Sequence, residues 1–354
     1  EYDSIQPKWQ RCRDTFEGED AVKKRGEQYL PKLSKQDDDS YQAYKTRATF
    51  FNAVNLTISG LVGAVLRLDA KIEAPAKLES LFNDITNTGV SLSDFIEGML
   101  TEQLLMGRQG VLIDHDGTRP YLTGYTTEQV TNWLEDAIIL QESYRAVDPK
   151  DHYKSEFKTQ YRELVMEEGR FIVRIWRKGK KDWEVVADIT PVNKGVELSN
   201  IPFIAVSQDG ANLTPMTPPL LALADMSLSH YRTSADLEHG RHFTALPTPY
   251  VTGVDTDSEL VIGSGTAWIL PDTQSKAGYL EFTGQGLRAL EVAMEEKRSM
   301  MAALGAQLLE GQKKGIEAAE AVRLRQNAES STLASTVKSV EQAVQQMLTQ
   351  MAEW

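Results

Sequence analysis

Cysteine is almost absent: Cys12 is the single one in 354 residues. That excludes an internal disulfide and any thiolate metal cluster, and it fits a reducing compartment. Positive charge is scarce too, with 38 Lys and Arg against 51 Asp and Glu, a net charge of −13 and a pI near 5.0. Such a balance argues against gripping nucleic acid over a broad surface. The deficit is uneven. From Leu287 onward eight Lys/Arg face nine Asp/Glu, net −1, so the residues before it carry −12. If DNA is a partner, only local basic points touch it. No proline follows Pro271, so nothing after that point forces a helix to break. The nucleotide-binding signature is missing as well. Ile262-Gly263-Ser264-Gly265-Thr266 is glycine-rich, but no Gly-Lys-Ser/Thr follows, and the stretch reads as a plain turn. No Ser–His–Asp set stands out and the sequence alone pairs no carboxylates across a cleft, so neither an enzyme nor a cofactor is expected. No signal-peptide pattern opens the sequence.

What is present is helix and strand in alternating blocks, over a length that suggests about two domains. Residues 1–47 read as charged helix anchored by Trp9, Val22 and Tyr29, with a break at Leu30-Pro31 and a loop, Lys32 to Ser40, holding Asp37-Asp38-Asp39. Tyr41, Tyr44 and Ala48 lead into Ala48–Leu66, nineteen uncharged residues. That run is long enough for a membrane span but too rich in Thr, Asn, Ser and Gly, so it reads as one buried helix. Ser91 or Ser93 caps a helix ending at Gly107. Gly110–Asp114 and Tyr121–Thr123 pair as strands, and Thr126 with Gln129 caps a short helix ending near Trp133. Six strand segments follow: Ala137–Leu140, Ser143–Val147, Gln160–Val165, Phe171–Trp176, Trp183–Ala187 and Ile204–Val206. Hairpin turns fall at Gly169 and Lys178–Lys181. Pro218-Pro219 introduces a helix from Leu220 to about Phe243, whose sparse leucines predict one narrow buried face. Tyr250–Phe282 is short-strand material. The fold class is α+β.

The stretch Leu287–Trp354 reads as helix, basic loop and helix. Leu287, Leu290, Met294, Met301, Leu304 and Leu308 share one face of the first helix. Leu333, Val337, Val340, Val344, Met347 and Met351 form a seam along the second. Between them lies Gly311-Gln312-Lys313-Lys314-Gly315. Alone it is a solvated loop; repeated around a ring, it would form a basic collar in an acidic passage. Two weaker motifs read as ordinary surface. His239 and His242, three apart near a helix end, are better explained by the helix dipole than by a metal. Asp114-His115-Asp116-Gly117 lacks the spacing and closing Glu of a calcium loop.

This order of parts resembles that of tailed-phage portal (head-to-tail connector) proteins. The residues carrying the likeness are Pro219-Leu220-Leu221 through His230-Tyr231 to Glu238, then Leu246-Pro247 and Gly253. Met301 through Leu304-Gly305 to Leu309, and Glu317–Ala321 with Arg325, continue it. Trp9, Gly26, Tyr29-Leu30-Pro31, Tyr41, Tyr44 and Arg47-Ala48 are similar to a branch of portals long filed as phage proteins of unknown function. The resemblance implies a mixed α/β wing over 1–206, a first stem helix with its lead-in over 207–246 and a clip over 247–284. A second stem helix over 285–309, a tunnel loop over 310–318 and an inner wing helix over 319–354 complete it, with the crown absent or truncated. It further implies a ring, commonly of twelve copies, at one capsid vertex of a virion assembled in the host cytoplasm. Its partners would be the double-stranded DNA in the channel, terminase, adaptor or tail proteins and the major capsid protein, with no membrane. Gln312, Lys313 and Lys314 would face the DNA. The alternative is a helical scaffold or adaptor that binds other virion proteins and has no DNA channel.

Overall fold

The computed structural model describes residues 1–67, 71–147, 151, 153–208, 212–245, 248–253, 274–280, 285–306 and 332–354. Among them the helices are α1 (Tyr2–Glu17), α2 (Glu19–Lys24), α3 (Asp38–Arg47), α4 (Ala53–Leu66), α5 (Ala76–Glu79), α6 (Leu92–Met106), α7 (Leu221–Ala245), α8 (Gln285–Ala306) and α9 (Thr332–Glu353). The strands are β1 (Arg108–His115), β2 (Pro120–Tyr125), β3 (Val130–Trp133), β4 (Ala137–Val147), β5 (Ser155–Glu167), β6 (Arg170–Lys178), β7 (Trp183–Ile189), β8 (Val192–Asn193), β9 (Val196–Glu197), β10 (Phe203–Ser207), β11 (Thr248–Thr252) and β12 (Lys276–Leu280). The fold is mixed α and β with several small antiparallel sheets. Contacts divide the chain into a first unit of Glu1–Gly18, Asn52–Asp225 and Met301–Trp354, and a second of Glu19–Phe51 and Met226–Met300. This grouping runs across the sequence boundaries given above, because residues 19–51 cluster with 226–300.

In the first unit, β10, β1 and β2 form a three-stranded sheet and β3 to β7 a five-stranded meander. β1 exists because Gly107 stops α6 in the left-handed conformation (φ 78), and Ser91 starts that helix by accepting the Asp94 N–H at 3.1 Å. A side chain at Gly107 would meet the Met216 sulfur 2.9 Å away. α9 lays the seam Val340, Val344, Met347 and Met351, with Thr336, Ala343 and Leu348, against α6 and the three-stranded sheet. The body of the first unit thus covers the seam. One core cluster lies on the inner face of the meander, around Leu140, Leu164, Phe171 and Val173. Its β5–β6 turn places Glu168 and Gly169 at φ 51 and 77, the left-handed pair that a tight hairpin turn requires.

Four expectations need correction. Ala48–Leu66 is not one helix. The Asn52 side chain accepts the Asn55 N–H at 3.0 Å and donates to the Phe16 carbonyl at 3.1 Å, so α4 begins only after it. α4 is also half-buried, with Leu56 62% exposed. Asp37 is a cap rather than mid-loop: it accepts the Ser40 N–H at 2.8 Å and Asp38-Asp39 open α3, where carboxylates favour the helix dipole. After Thr126 a single turn, Thr127–Gln129, gives way to strand, because Val130 pairs with Leu140. Finally, Ala137–Leu140 and Ser143–Val147 are one strand, β4.

The second unit packs Val22, Tyr29, Leu30, Tyr41, Tyr44 and Ala48 against Leu228, Tyr231 and Ala235 of α7. Its part of α7 buries a wide face, not a narrow one, because Ser227, His230, Thr233 and Ser234 are buried alongside the apolar residues. Among the described residues no helix is long and apolar enough to cross a membrane.

Candidate assembly interface

The loop that sequence reasoning singled out, Gln312, Lys313 and Lys314, lies outside the described residues. So do Ile262–Thr266, Leu308-Leu309 and Glu317–Arg325. The described elements of this stretch of the sequence are α7, the β11–β12 pair, α8 and α9.

α7 starts where Pro218 and Pro219 leave no donor to satisfy, and the Leu221 N–H turns back to the Pro218 carbonyl at 3.1 Å. Within the second unit its polar residues find partners. The Ser234 hydroxyl accepts the Thr49 N–H at 2.9 Å, and the Tyr44 hydroxyl donates to Asp236 at 2.6 Å. Burial, then the Asp236 carboxylate, pushes the Tyr44 phenol well above its ordinary range. Lys297 of α8 donates to the Ser229 carbonyl at 3.1 Å and to the Thr233 hydroxyl, and burial holds its pKa below the usual lysine value. Arg241 joins Glu238 at 2.8 Å to Glu291 at 3.0 Å. Gly240 lets α8 come close, since a Cβ there would run into the Leu287 side chain.

Two predicted histidines sit at the end of α7. His239 packs edge-on against Tyr44 at 5.3 Å and Phe243 at 4.7 Å, and His242 lies 3.2 Å from the Arg47 guanidinium. An arginine in that position repels a metal ion, and among the described residues no three His, Cys, Asp or Glu gather to hold one. Asp116, in the other weak motif, is spent on its turn: it accepts the N–H groups of Thr118 and Arg119 at 2.7 and 2.9 Å, which keep its carboxyl below the usual range. His115 stacks on Trp354 at 5.2 Å.

β11 and β12 pair antiparallel from Thr248↔Leu280 to Thr252↔Lys276, and the Tyr250 ring covers the space a side chain at Gly278 would need. α8 follows with two unlike faces. Met294 is buried and Leu287, Leu290 and Lys297 half-buried on one side. On the other, Arg288, Glu291, Val292, Glu295, Glu296, Ser299 and Met300 recur at helical spacing. Val292 and Met300 are 46% and 51% exposed there, apolar side chains set in an acidic stripe. Sequence periodicity located the inner face but gave no signal for the outer one, whose apolar residues stand eight apart among charges.

Among the described residues the stretch holds two long helices with a strand pair between them in sequence, and one face of α8 is exposed. A family model described as a domain of unknown function, DUF4055, matches residues 219–354, the stretch holding α7, β11–β12, α8 and α9. No curated protein matches. Among solved structures, the chain is similar to one in the virion of a native gene transfer agent particle, at 12% identity and a TM-score of 0.44, covering 91% of this chain and 83% of that one. It is also similar to a chain in the neck of an empty gene transfer agent particle, at 11% identity and a TM-score of 0.45, covering 88% and 81%.

Proposed function

We propose that this chain is a structural protein of a phage-like virion, and that identical copies close into a portal ring through which DNA passes. The observation that carries the reading is the order of elements. An α+β body is followed by a long helix, α7, a two-stranded antiparallel pair, a second long helix, α8, and a long terminal helix, α9. In the portal reading these are wing, stem, clip, stem and inner wing helix. The open face of α8 supports it, because a stem helix in a ring needs a surface for its neighbour. The net charge of −13 supports it as well: an acidic bore repels phosphate and lets a duplex slide. In this reading Gln312, Lys313 and Lys314 face the lumen, the β11–β12 end meets terminase and later an adaptor, and the ring sits at a capsid vertex.

Class-averaged top views of the purified protein test the ring; particles without a central hole count against it. A second experiment addresses the loop. Lys313→Ala combined with Lys314→Ala leaves assembly intact but lowers DNA packaging or retention, and unchanged packaging removes the proposed role of the lysines.

A further inference from the structure

One end of the outer face of the five-stranded sheet, near the β6–β7 turn, is basic and aromatic in a chain of net charge −13. Core residues Leu164, Val173 and Ile175 point to one side, so the alternating residues of β5, β6 and β7 point to the other. Register places Tyr161 opposite Trp176, and Lys178 opposite Trp183, on that outer side. Tyr161 and Trp183 touch edge to face at 4.9 Å, and Phe157, four residues before Tyr161, shares their side. The rings are not hidden: Phe157 is 80% exposed and Trp183 39%. At the β6–β7 turn, Lys178, Lys180 and Lys181 are exposed and make no ion pair among the described residues. From Trp176 to Val185 four basic residues stand against two acidic ones, local net +2 in a chain of −13.

Open aromatic rings on one face of a sheet suit the faces of unpaired bases, and lysines at its end suit the phosphates between them. A duplex presents no base faces, and an acidic peptide would use the charges but leave the rings unexplained. We propose that this end of the sheet, around Phe157, Trp176, Trp183 and the three lysines, binds single-stranded nucleic acid. The proposal does not depend on the portal reading, which concerns double-stranded DNA in a central channel, and either can fail alone.

Fluorescence anisotropy of a labelled oligothymidylate of about twenty nucleotides, titrated with the whole protein, tests it. Binding is expected, with a log–log salt slope of about −2 for three phosphate contacts. Trp183→Ala and Phe157→Ala should each weaken it roughly tenfold. Replacing Lys178, Lys180 and Lys181 by Ala should remove most of the salt slope. Because Trp183 touches Tyr161, the more exposed Phe157 carries the test if Trp183→Ala lowers the melting temperature. Absent binding at low salt overturns the proposal. So does binding that ignores both aromatic substitutions, or equal competition by duplex DNA or polyglutamate, which would mark a generic polyanion surface.

Discussion

Arg13 is shared by two carboxylates that lie far away in sequence. Its guanidinium reaches Glu102 at 2.8 and 2.9 Å and Glu128 at 2.9 Å. Burial raises the pKa of Glu102, the more enclosed of the two, against the pull of Arg13. Glu128 is held below the usual range by Arg13, which outweighs its own burial. Beside them Arg108 is fully buried without a carboxylate in ion-pair range among the described residues. Its guanidinium lies over Trp133 at 4.5 Å and Trp9 at 5.3 Å and donates to the Thr127 and Val130 carbonyls at 3.2 and 2.9 Å. Burial brings its pKa down to about 10. Removing one partner of such a set leaves an uncompensated buried charge, so Arg13→Met should cost about 3–5 kcal/mol in urea unfolding. Adding Glu102→Gln to Arg13→Met should recover part of that loss. None of this was legible in the sequence, because the pairs are 89 and 115 residues apart and nothing local marks them.

His230 is the other residue of this kind. It is buried, and neither ring nitrogen has a hydrogen-bond partner among the described residues. Burial, with Arg298 and Lys297 nearby, depresses its pKa from the ordinary 6.5. As pH falls, the unfolded chain takes up this proton before the folded one does. The stability present above about pH 6.5 is therefore lost as pH drops through the window below it. His230→Leu should flatten that loss and be neutral or stabilising at neutral pH, since it removes two unpaired polar atoms. Melting temperatures from about pH 8 to about pH 5 check both, and a variant that melts lower than the parent at neutral pH contradicts the account.

At the scale of elements, stops and starts were readable wherever a single side chain makes them. Ser91 and Gly107 delimit α6 as their residue types demand. Gly107→Ala should cost at least about 1 kcal/mol, because the left-handed backbone and the Met216 contact both oppose a Cβ. The seam of α9 was readable because its period is regular over six residues. The break at Ala48–Asn52 was not, since an uncharged apolar run hides an Asn cap that becomes visible only once Phe16 is beside it. The wide buried face of α7 was unreadable for a related reason: Ser234 and Thr233 look like surface until Thr49 and Lys297 supply their partners. On α8, Val292→Glu with Met300→Glu should leave the unfolding free energy within about 1 kcal/mol of the parent while disrupting self-association. Unchanged assembly would clear this face of the role given to it.

At the scale of the whole molecule, the proposed ring makes the acidic charge and the helix–strand pair–helix order properties of a repeated part. The loop Gln312–Lys314 was conspicuous in the sequence because two lysines and two glycines interrupt a helical period, yet the role proposed for it depends on copies around it. Native mass spectrometry of the purified protein, over a range of concentrations and salt, is the most direct test of that dependence. A portal ring gives one closed species of many copies, twelve by the resemblance. A stable monomer or dimer under every condition would contradict it.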